Sequence, residues 1–303
     1  MKTNQLGSSK LNVSEIGLGT MSLGTDREKG ISLIHEAIDN GVTFIDTADL
    51  YDFGLNEEIV GEALRDRRDS VVLATKAGNH WEEGKEGWYW DPSKKHIKSA
   101  LKASLKRLKT DHIDLFQLHG GTIEDPFDET IEAFEELKQE GLIIEYGISS
   151  IRPNVIREFV KKSSIASVMM QYSILDRRPE EEILDYLHEN NISVIARGPL
   201  AKGMLTDQYE EKVKEDGFLD HSKFDVLETV KQISEIKGDK RNLTQTSLKY
   251  ALAHPAVATV IPGASRSEQL LANITAQNAP DLTPDEVQKI RDVSKVNVYD
   301  KHR

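Results

Sequence analysis

The chain has 303 residues, 30% of them charged and 38% hydrophobic, with a formal net charge of −12. Such a chain can bury a substantial core, and its acidity argues against a nucleic-acid or anionic-membrane partner, which would favour a basic surface. It contains no cysteine, which excludes disulfides, thiolate nucleophiles and Cys-ligated zinc. No apolar h-region opens the chain and no apolar run approaches the roughly 18 residues of a membrane span, so a cytoplasmic protein is expected.

The first elements read as a small hairpin, Lys2 to Leu6 and Lys10 to Val13 around Gly7-Ser8-Ser9. From there short β-branched or apolar runs alternate with longer amphipathic segments. Strand candidates end near Gly19, Asp46, Lys76, His119, Ser149, Gln171, Arg197 and Ile261. Between them the spacing predicts helices over Lys29 to Asn40, closed by Gly41, and over Ser93 to Leu108, with Ser93 as N-cap. Two more are predicted over Asp128 to Gln139, ending at Gly141, and over Pro179 to Asn190. The stretch Lys202 to Asp239 is charged and weakly patterned, a flap or a surface insertion. A last helix is expected from Thr283 to Ser294, with Thr283, Pro284 and Glu286 forming its start. Strands alternating with helices imply a parallel sheet. Eight such units in this length favour one closed (β/α)8 TIM barrel over residues 1–303, with an N-terminal hairpin capping the end away from the chemistry and an extra C-terminal helix.

Three polar residues, Asp46, Lys76 and His119, stand where successive strands run out, and Tyr51 follows Asp46 by five positions. Parallel barrels collect reactive groups at this mouth. A carbonyl accepting hydride develops negative charge on oxygen and needs a proton donor beside it. A free phenol, with a pKa of ~10, donates more readily next to an ammonium. Tyr51 is therefore the candidate general acid and base, Lys76 the ammonium, Asp46 its counter-charge, and His119 a hydrogen-bonding partner of the carbonyl or a relay for the proton. Each residue alone has a plainer reading, as a cap, a solvated cation or a packed ring; together at one end of strands two, three and four they point to chemistry.

The chain resembles the aldo-keto reductases. The resemblance runs from Lys2 to about Asn278 and rests on Gly17-Leu18-Gly19-Thr20-Met21, Phe44-Ile45-Asp46-Thr47-Ala48-Asp49-Leu50-Tyr51, Asn56-Glu57-Glu58-Ile59-Val60-Gly61, Ala74-Thr75-Lys76, Gln117-Leu118-His119, Gly147-Ile148-Ser149 and Ile261-Pro262-Gly263-Ala264. It looks closest to the bacterial general-oxidoreductase branch with no assigned substrate. It implies a TIM barrel, a nicotinamide cofactor and a catalytic tetrad at Asp46, Tyr51, Lys76 and His119.

No Rossmann or Walker fingerprint is present, since Gly24 is misplaced as the third glycine after Gly17 and Gly19. Cofactor binding is thus expected at the barrel rim after the last strands. There Gly263 allows close approach, Ser265 offers a hydroxyl, Arg266 a planar cation, and a helix begins near Ser267. A basic spot in an acidic chain points to a 2′-phosphate, hence NADP(H). The resemblance adds Gln269 and Asn273 near the adenosine, Ser149 and Gln171 near the carboxamide, and Gly19, Thr20, Asp46, Gly198, Leu200 and Gly203 along the cofactor. Two positions depart from the family's usual pattern: Ser150 replaces an asparagine, and Arg197 replaces a tyrosine that stacks on the nicotinamide; a guanidinium can stack there instead or meet the pyrophosphate.

All three tryptophans, Trp81, Trp88 and Trp90, fall in the loop Asn79 to Asp91. Aromatics at a barrel mouth make pocket walls, so they are expected to line the substrate pocket, or else to pin the loop. The expected activity is NADPH-dependent reduction of an aldehyde or ketone, up to steroid size, to an alcohol, in a monomer or homo-oligomer; the alternative is an NADP(H)-sensing regulatory subunit with little turnover. No metal is expected, because a lysine paired with Asp46 opposes a cation and a metal site needs three or four converging ligands.

Overall fold

The computed structural model describes residues 1–82 and 84–303. Two short antiparallel strands, β1 (Thr3–Gln5) and β2 (Asn12–Ser14), form the predicted hairpin. Eight parallel strands follow: β3 (Leu18–Gly19), β4 (Phe44–Asp46), β5 (Val72–Ala77), β8 (Ile113–Leu118), β9 (Ile143–Ser149), β10 (Ser167–Gln171), β11 (Ser193–Arg197) and β12 (Val257–Ile261). A two-residue ribbon, β6 (Asn79–His80) with β7 (Tyr89–Trp90), lies between β5 and β8. Parallel bridges from Ile16 to Val260 and from Gly19 to Gly263 bring the first strand beside the last, so the sheet is a nearly closed barrel.

These strands are buried on both faces, as parallel strands under helices must be; every residue of β12 is buried. Phe44, Ala74, Leu115, Met169, Ile195, Ala258 and Ile261 cluster with Leu6, Leu11 and Val13 of the hairpin. The hairpin therefore plugs the N-terminal end of the barrel, held by Asn4 Nδ2 donating to the Ala258 carbonyl at 2.8 Å and by the Gly7 amide donating to Ser193 Oγ at 2.7 Å. The other end stays open for the strand C-termini.

The outer ring contains α1 (Arg27–Asp39), α2 (Leu55–Ala63), α3 (Lys94–Leu108), α4 (Phe127–Gln139), α5 (Pro153–Lys162), α6 (Ile183–Glu189), α7 (Tyr209–Lys212), α8 (Lys223–Lys237), α9 (Leu243–Leu252), α10 (Ser267–Ile274) and α11 (Pro284–Val293). Ser93 caps α3, accepting from the His96 amide at 3.3 Å, and Thr283 with Glu286 forms a reciprocal box at α11, both as expected. Asp26 caps α1 two residues earlier than the pattern predicts.

Two differences have physical causes. The helix expected over Pro179 to Asn190 is divided into a 3₁₀ turn, Arg178–Glu181, and α6, with Glu182 at φ −155° between them. The turn points Glu180 inward, where its carboxylate accepts from Tyr172 at 2.8 Å, Tyr250 at 2.5 Å and Arg177 Nε at 3.0 Å; a straight helix would draw this acceptor away from the two buried phenols. The weakly patterned stretch Lys202 to Asp239 contains α8, fifteen residues with a Ser222–Asp225 capping box. Its narrow apolar stripe of Val226, Val230 and Ile233 is visible as a helix face once α11 covers it. No helix of the described residues is long and apolar enough to cross a membrane.

Candidate active site

The site sits at the C-terminal mouth. Asp46 ends β4, Lys76 is next to last in β5, and His119 directly follows β8. Strand register fixes their relation, since Asp46 pairs with Ala74, and Lys76 with Gln117. Tyr51 comes from the turn after β4, where Asp52 and Phe53 adopt left-handed backbone at φ 49° and 50° before Gly54. Such non-glycine residues cost roughly 1–3 kcal/mol each and persist only where surroundings impose them. Here Phe53 packs edge-on against Trp81, with ring centroids 5.7 Å apart, and Trp81 in turn lies under the Arg107 guanidinium. Arg107 Nε is bonded to buried Glu57 at 2.6 Å, and Glu57 also accepts from Thr75 Oγ1 at 2.6 Å. The turn is thus tied through α2 to the strand that carries Lys76.

Lys76 is 1% exposed. Its Nζ donates to Asp46 Oδ2 at 2.7 Å, to the Thr47 carbonyl at 2.8 Å and to the Tyr51 hydroxyl at 3.2 Å, which uses all three protons of an ammonium. Burial works against the Lys76 charge, but the Asp46 carboxylate and the Tyr51 phenol outweigh it and hold the ammonium above its ordinary value. Burial pushes the Asp46 carboxyl up, against the pull of Lys76 and a 3.4 Å hydrogen bond from Gln117 Nε2. The His119 ring meets Tyr51 edge to face at 5.9 Å. Behind them Thr20, Thr47 and Asn56 form a buried polar cluster, with Asn56 Nδ2 donating to the Thr20 carbonyl at 3.0 Å and Thr47 Oγ1 to Asn56 Oδ1 at 2.8 Å. The sequence motifs contain Asn56, Glu57 and Gln117, but their supporting roles arise from contacts across 9 to 71 positions.

Burial, reinforced by Lys76 and Arg197, pulls the His119 imidazole down to about 3, and its Nδ1 is buried without a partner among the described residues. Folding thus favours the neutral ring. An unfolded histidine titrates near ~6.5, so below that value the unfolded chain takes up a proton that the folded chain refuses. The stability gained from the neutral ring is complete above about 6.5 and is lost as pH falls towards 3. His119→Asn is expected to flatten the acid limb of stability against pH between about 6.5 and 4, read from urea midpoints; an unchanged limb would assign the acid sensitivity to other groups.

From this floor a cleft of about 1340 Å³ extends over the rim after β9 to β12. It is lined by Gly19, Asp46, Ser149, Gln171, Arg197, Gly198, Leu200, Gly203, Gly263, Ser265, Arg266, Gln269 and Asn273, together with Tyr51 and His119. Thr20, expected along the same surface, is instead fully buried beneath it in the Asn56 cluster. The volume exceeds the range of about 300–1,000 Å³ that suits a drug-sized ligand, and a dinucleotide with a small co-substrate fits such a space. A Cβ at Gly263 would come within 2.4 Å of Ser22 Oγ and 3.2 Å of Ser22 Cβ, so a larger residue there has to displace the Ser22 side chain. Ser265 donates through its amide and hydroxyl to Gln269 Oε1 at 3.0 and 3.1 Å, and Arg266, half exposed, reaches Gln208 at 3.2 Å. Arg197 Nη1 donates to Gln171 Oε1 at 3.1 Å, and Gln171 Nε2 donates to Asp176, which Arg178 grips with two 2.7 Å bonds. Burial draws the Arg197 guanidinium below its ordinary value. The cleft also gathers Arg152, Lys202 and Lys212, cations that the sequence reading did not single out.

The three tryptophans stand apart from the lining of this cleft. Trp81 props the Tyr51 turn, Trp88 is 54% exposed, and Trp90 lies over Gly78 and Gly120 while its Nε1 donates to Asp125 at 2.9 Å. A Cβ at Gly78, whose φ is +129°, would meet the Trp90 ring at 2.7 Å.

The aldo/keto reductase family model matches residues 15–295. The chain belongs to this family. It is 58% identical to the Bacillus subtilis protein named "Uncharacterized oxidoreductase YqkF", over the full length of both chains. It is 31% identical to the NADH-specific methylglyoxal reductase of Escherichia coli, covering 92% of this chain and 94% of that one. The solved holo form of the aldo-keto reductase AKR11C1 from Bacillus halodurans superposes with a TM-score of 0.94 at 53% identity, covering 100% of this chain and 99% of that one. The protein is an oxidoreductase of a family that works with nicotinamide cofactors.

Proposed function

We propose that this aldo-keto reductase is an NADPH-dependent carbonyl reductase that acts in the cytoplasm on small aldehydes or ketones. The observation that carries the reading is the Lys76 ammonium, buried beneath the cleft between Asp46 at 2.7 Å and the Tyr51 hydroxyl at 3.2 Å, both of which line the cleft. When bound, the reduced nicotinamide supplies the hydride. The chain's own residues supply the rest. Tyr51 Oη transfers a proton to the carbonyl oxygen as charge develops there, and Lys76 stabilises the phenolate left behind. Asp46 keeps that ammonium charged and in place. The neutral His119, whose ring lines the cleft edge-on to Tyr51, orients the carbonyl oxygen as a hydrogen-bonding group.

Gly263, Ser265, Arg266 and the start of α10 would hold the adenosine phosphate, and Ser149, Gln171 and Arg197 the nicotinamide end. Arg266→Ala is expected to weaken NADPH by about ten- to a hundredfold, the loss of one charge-assisted hydrogen bond of ~1.5–3 kcal/mol, with little change for NADH. Equal loss for both cofactors would overturn the 2′-phosphate assignment. The NADH-specific reductase among the relatives makes this comparison informative. A panel of carbonyls assayed with NADPH and with NADH tests the activity itself: turnover with NADPH is expected, whereas tight cofactor binding with negligible turnover would favour a sensing role.

A further inference from the structure

Away from the cleft, three ligating side chains meet at the base of the tryptophan-bearing loop. His80 ends β6, Asp91 follows β7, and His96 lies in the first turn of α3. One ligating atom from each falls within 4.8 Å of the other two, and no other group of three does so among the described residues. His80 Nδ1 is 3.1 Å from Asp91 Oδ2, and the two imidazoles stack with centroids 4.4 Å apart at 11°. His96 Nε2 is buried with no partner among the described residues. A buried ring nitrogen left unmatched calls for an explanation.

The surroundings prepare these groups as ligands. The His96 ring is partly buried against His80, with its Nε2 enclosed and open to a ligand-type contact. Despite partial burial, bonds from Ser93 and His80 hold the Asp91 carboxyl below its ordinary value. The main chain around them is fixed. Residues 79 and 80 pair with 90 and 89, the Ser93 amide donates to Asp91 Oδ1 at 3.1 Å, and Ser93 caps the turn that carries His96. A tetrahedral ion with bonds of about 2.0–2.1 Å sets its ligand atoms roughly 3.3 Å apart. The His80–Asp91 edge meets that spacing; for both imidazoles to reach one ion, the rings must turn out of their stack about χ2, and His80 must give up the 2.9 Å contact of its Nδ1 with the Tyr89 hydroxyl if it ligates through that atom.

We propose that His80, Asp91 and His96 form a binding site for one divalent transition-metal ion, with water in the fourth position, which fastens the tryptophan loop to the start of α3. Two imidazoles and a carboxylate suit zinc and its neighbours rather than calcium or magnesium. None of the three side chains lines the cleft, so the ion is structural rather than a participant in carbonyl chemistry.

The test uses tag-free, chelator-treated full-length protein titrated with Zn²⁺ by calorimetry and with Co²⁺ by visible absorption. One equivalent is expected to bind, with at least tenfold weaker affinity in His96→Gln, His80→Gln and Asp91→Asn and unchanged affinity in His119→Asn. Zn²⁺ should raise the melting temperature of the wild type and not of His96→Gln, because binding to the folded state alone stabilises it. Melting of each metal-free variant shows that it is folded. Absence of saturable one-to-one binding, equal affinity in the His80, Asp91 and His96 variants, or loss of binding in His119→Asn would each overturn the proposal.

Discussion

Tyr51→Phe is expected to lower carbonyl reduction by about 10²- to 10⁴-fold, the range supplied by a positioned proton donor. The ring remains, so its edge contact with His119 and its packing over Lys76 survive; only the hydroxyl that Lys76 contacts at 3.2 Å is lost. Cofactor affinity should stay within a few-fold, measured by fluorescence titration, because Tyr51 contributes a small part of a cleft that extends to Asn273. The loss should appear in kcat and kcat/KM alike, the signature of an interaction made in the transition state. Wild-type turnover in this variant would remove Tyr51 as the donor, and a parallel collapse of cofactor binding would make its role structural.

The second large effect concerns the buried ion pair. Lys76→Met leaves the Asp46 carboxylate, 3% exposed at its side chain, without its cation. Removing one partner of a buried pair typically costs about 3–5 kcal/mol, because the remaining charge has neither water nor counter-ion. Asp46→Asn strands the ammonium and should cost a similar amount, softened by the Thr47 carbonyl that Lys76 still reaches at 2.8 Å. The double variant Asp46→Asn/Lys76→Met should recover most of this stability, since neither charge is left, while reduction stays lost. Urea midpoints at constant slope, combined in a double-mutant cycle, measure the coupling. Single variants within ~1 kcal/mol of wild type would mean that water reaches the pair, contrary to the burial seen.

The readable parts of this fold share one property: their signals are local. The eight strand ends were legible because each apolar run stops at a turn, and the caps at Ser93 and Thr283 because a helix start is written within four residues. The break after Glu181 was not legible, since its cause is Glu180 meeting Tyr172 and Tyr250, the latter 70 positions away. Helix α8 was missed because its stripe is short and gains definition only under α11. The tryptophan loop shows the same limit. Composition placed three aromatics near the mouth, but whether a ring faces ligand, solvent or backbone depends on Gly78 and on Gly120 and Phe53, the last two brought there by other strands.

Order along the chain therefore specified the barrel, its plugging hairpin and the placing of Asp46, Tyr51, Lys76 and His119 near one mouth, because strand periodicity alone puts strand ends on a common rim. Three-dimensional packing settled what periodicity cannot carry: that Lys76 is dry and uses its three protons on Asp46, Thr47 and Tyr51, that His119 stays neutral, and that His80, Asp91 and His96 converge. Charge states follow from desolvation and from neighbours within a few ångströms, and those neighbours come from segments far apart in the chain.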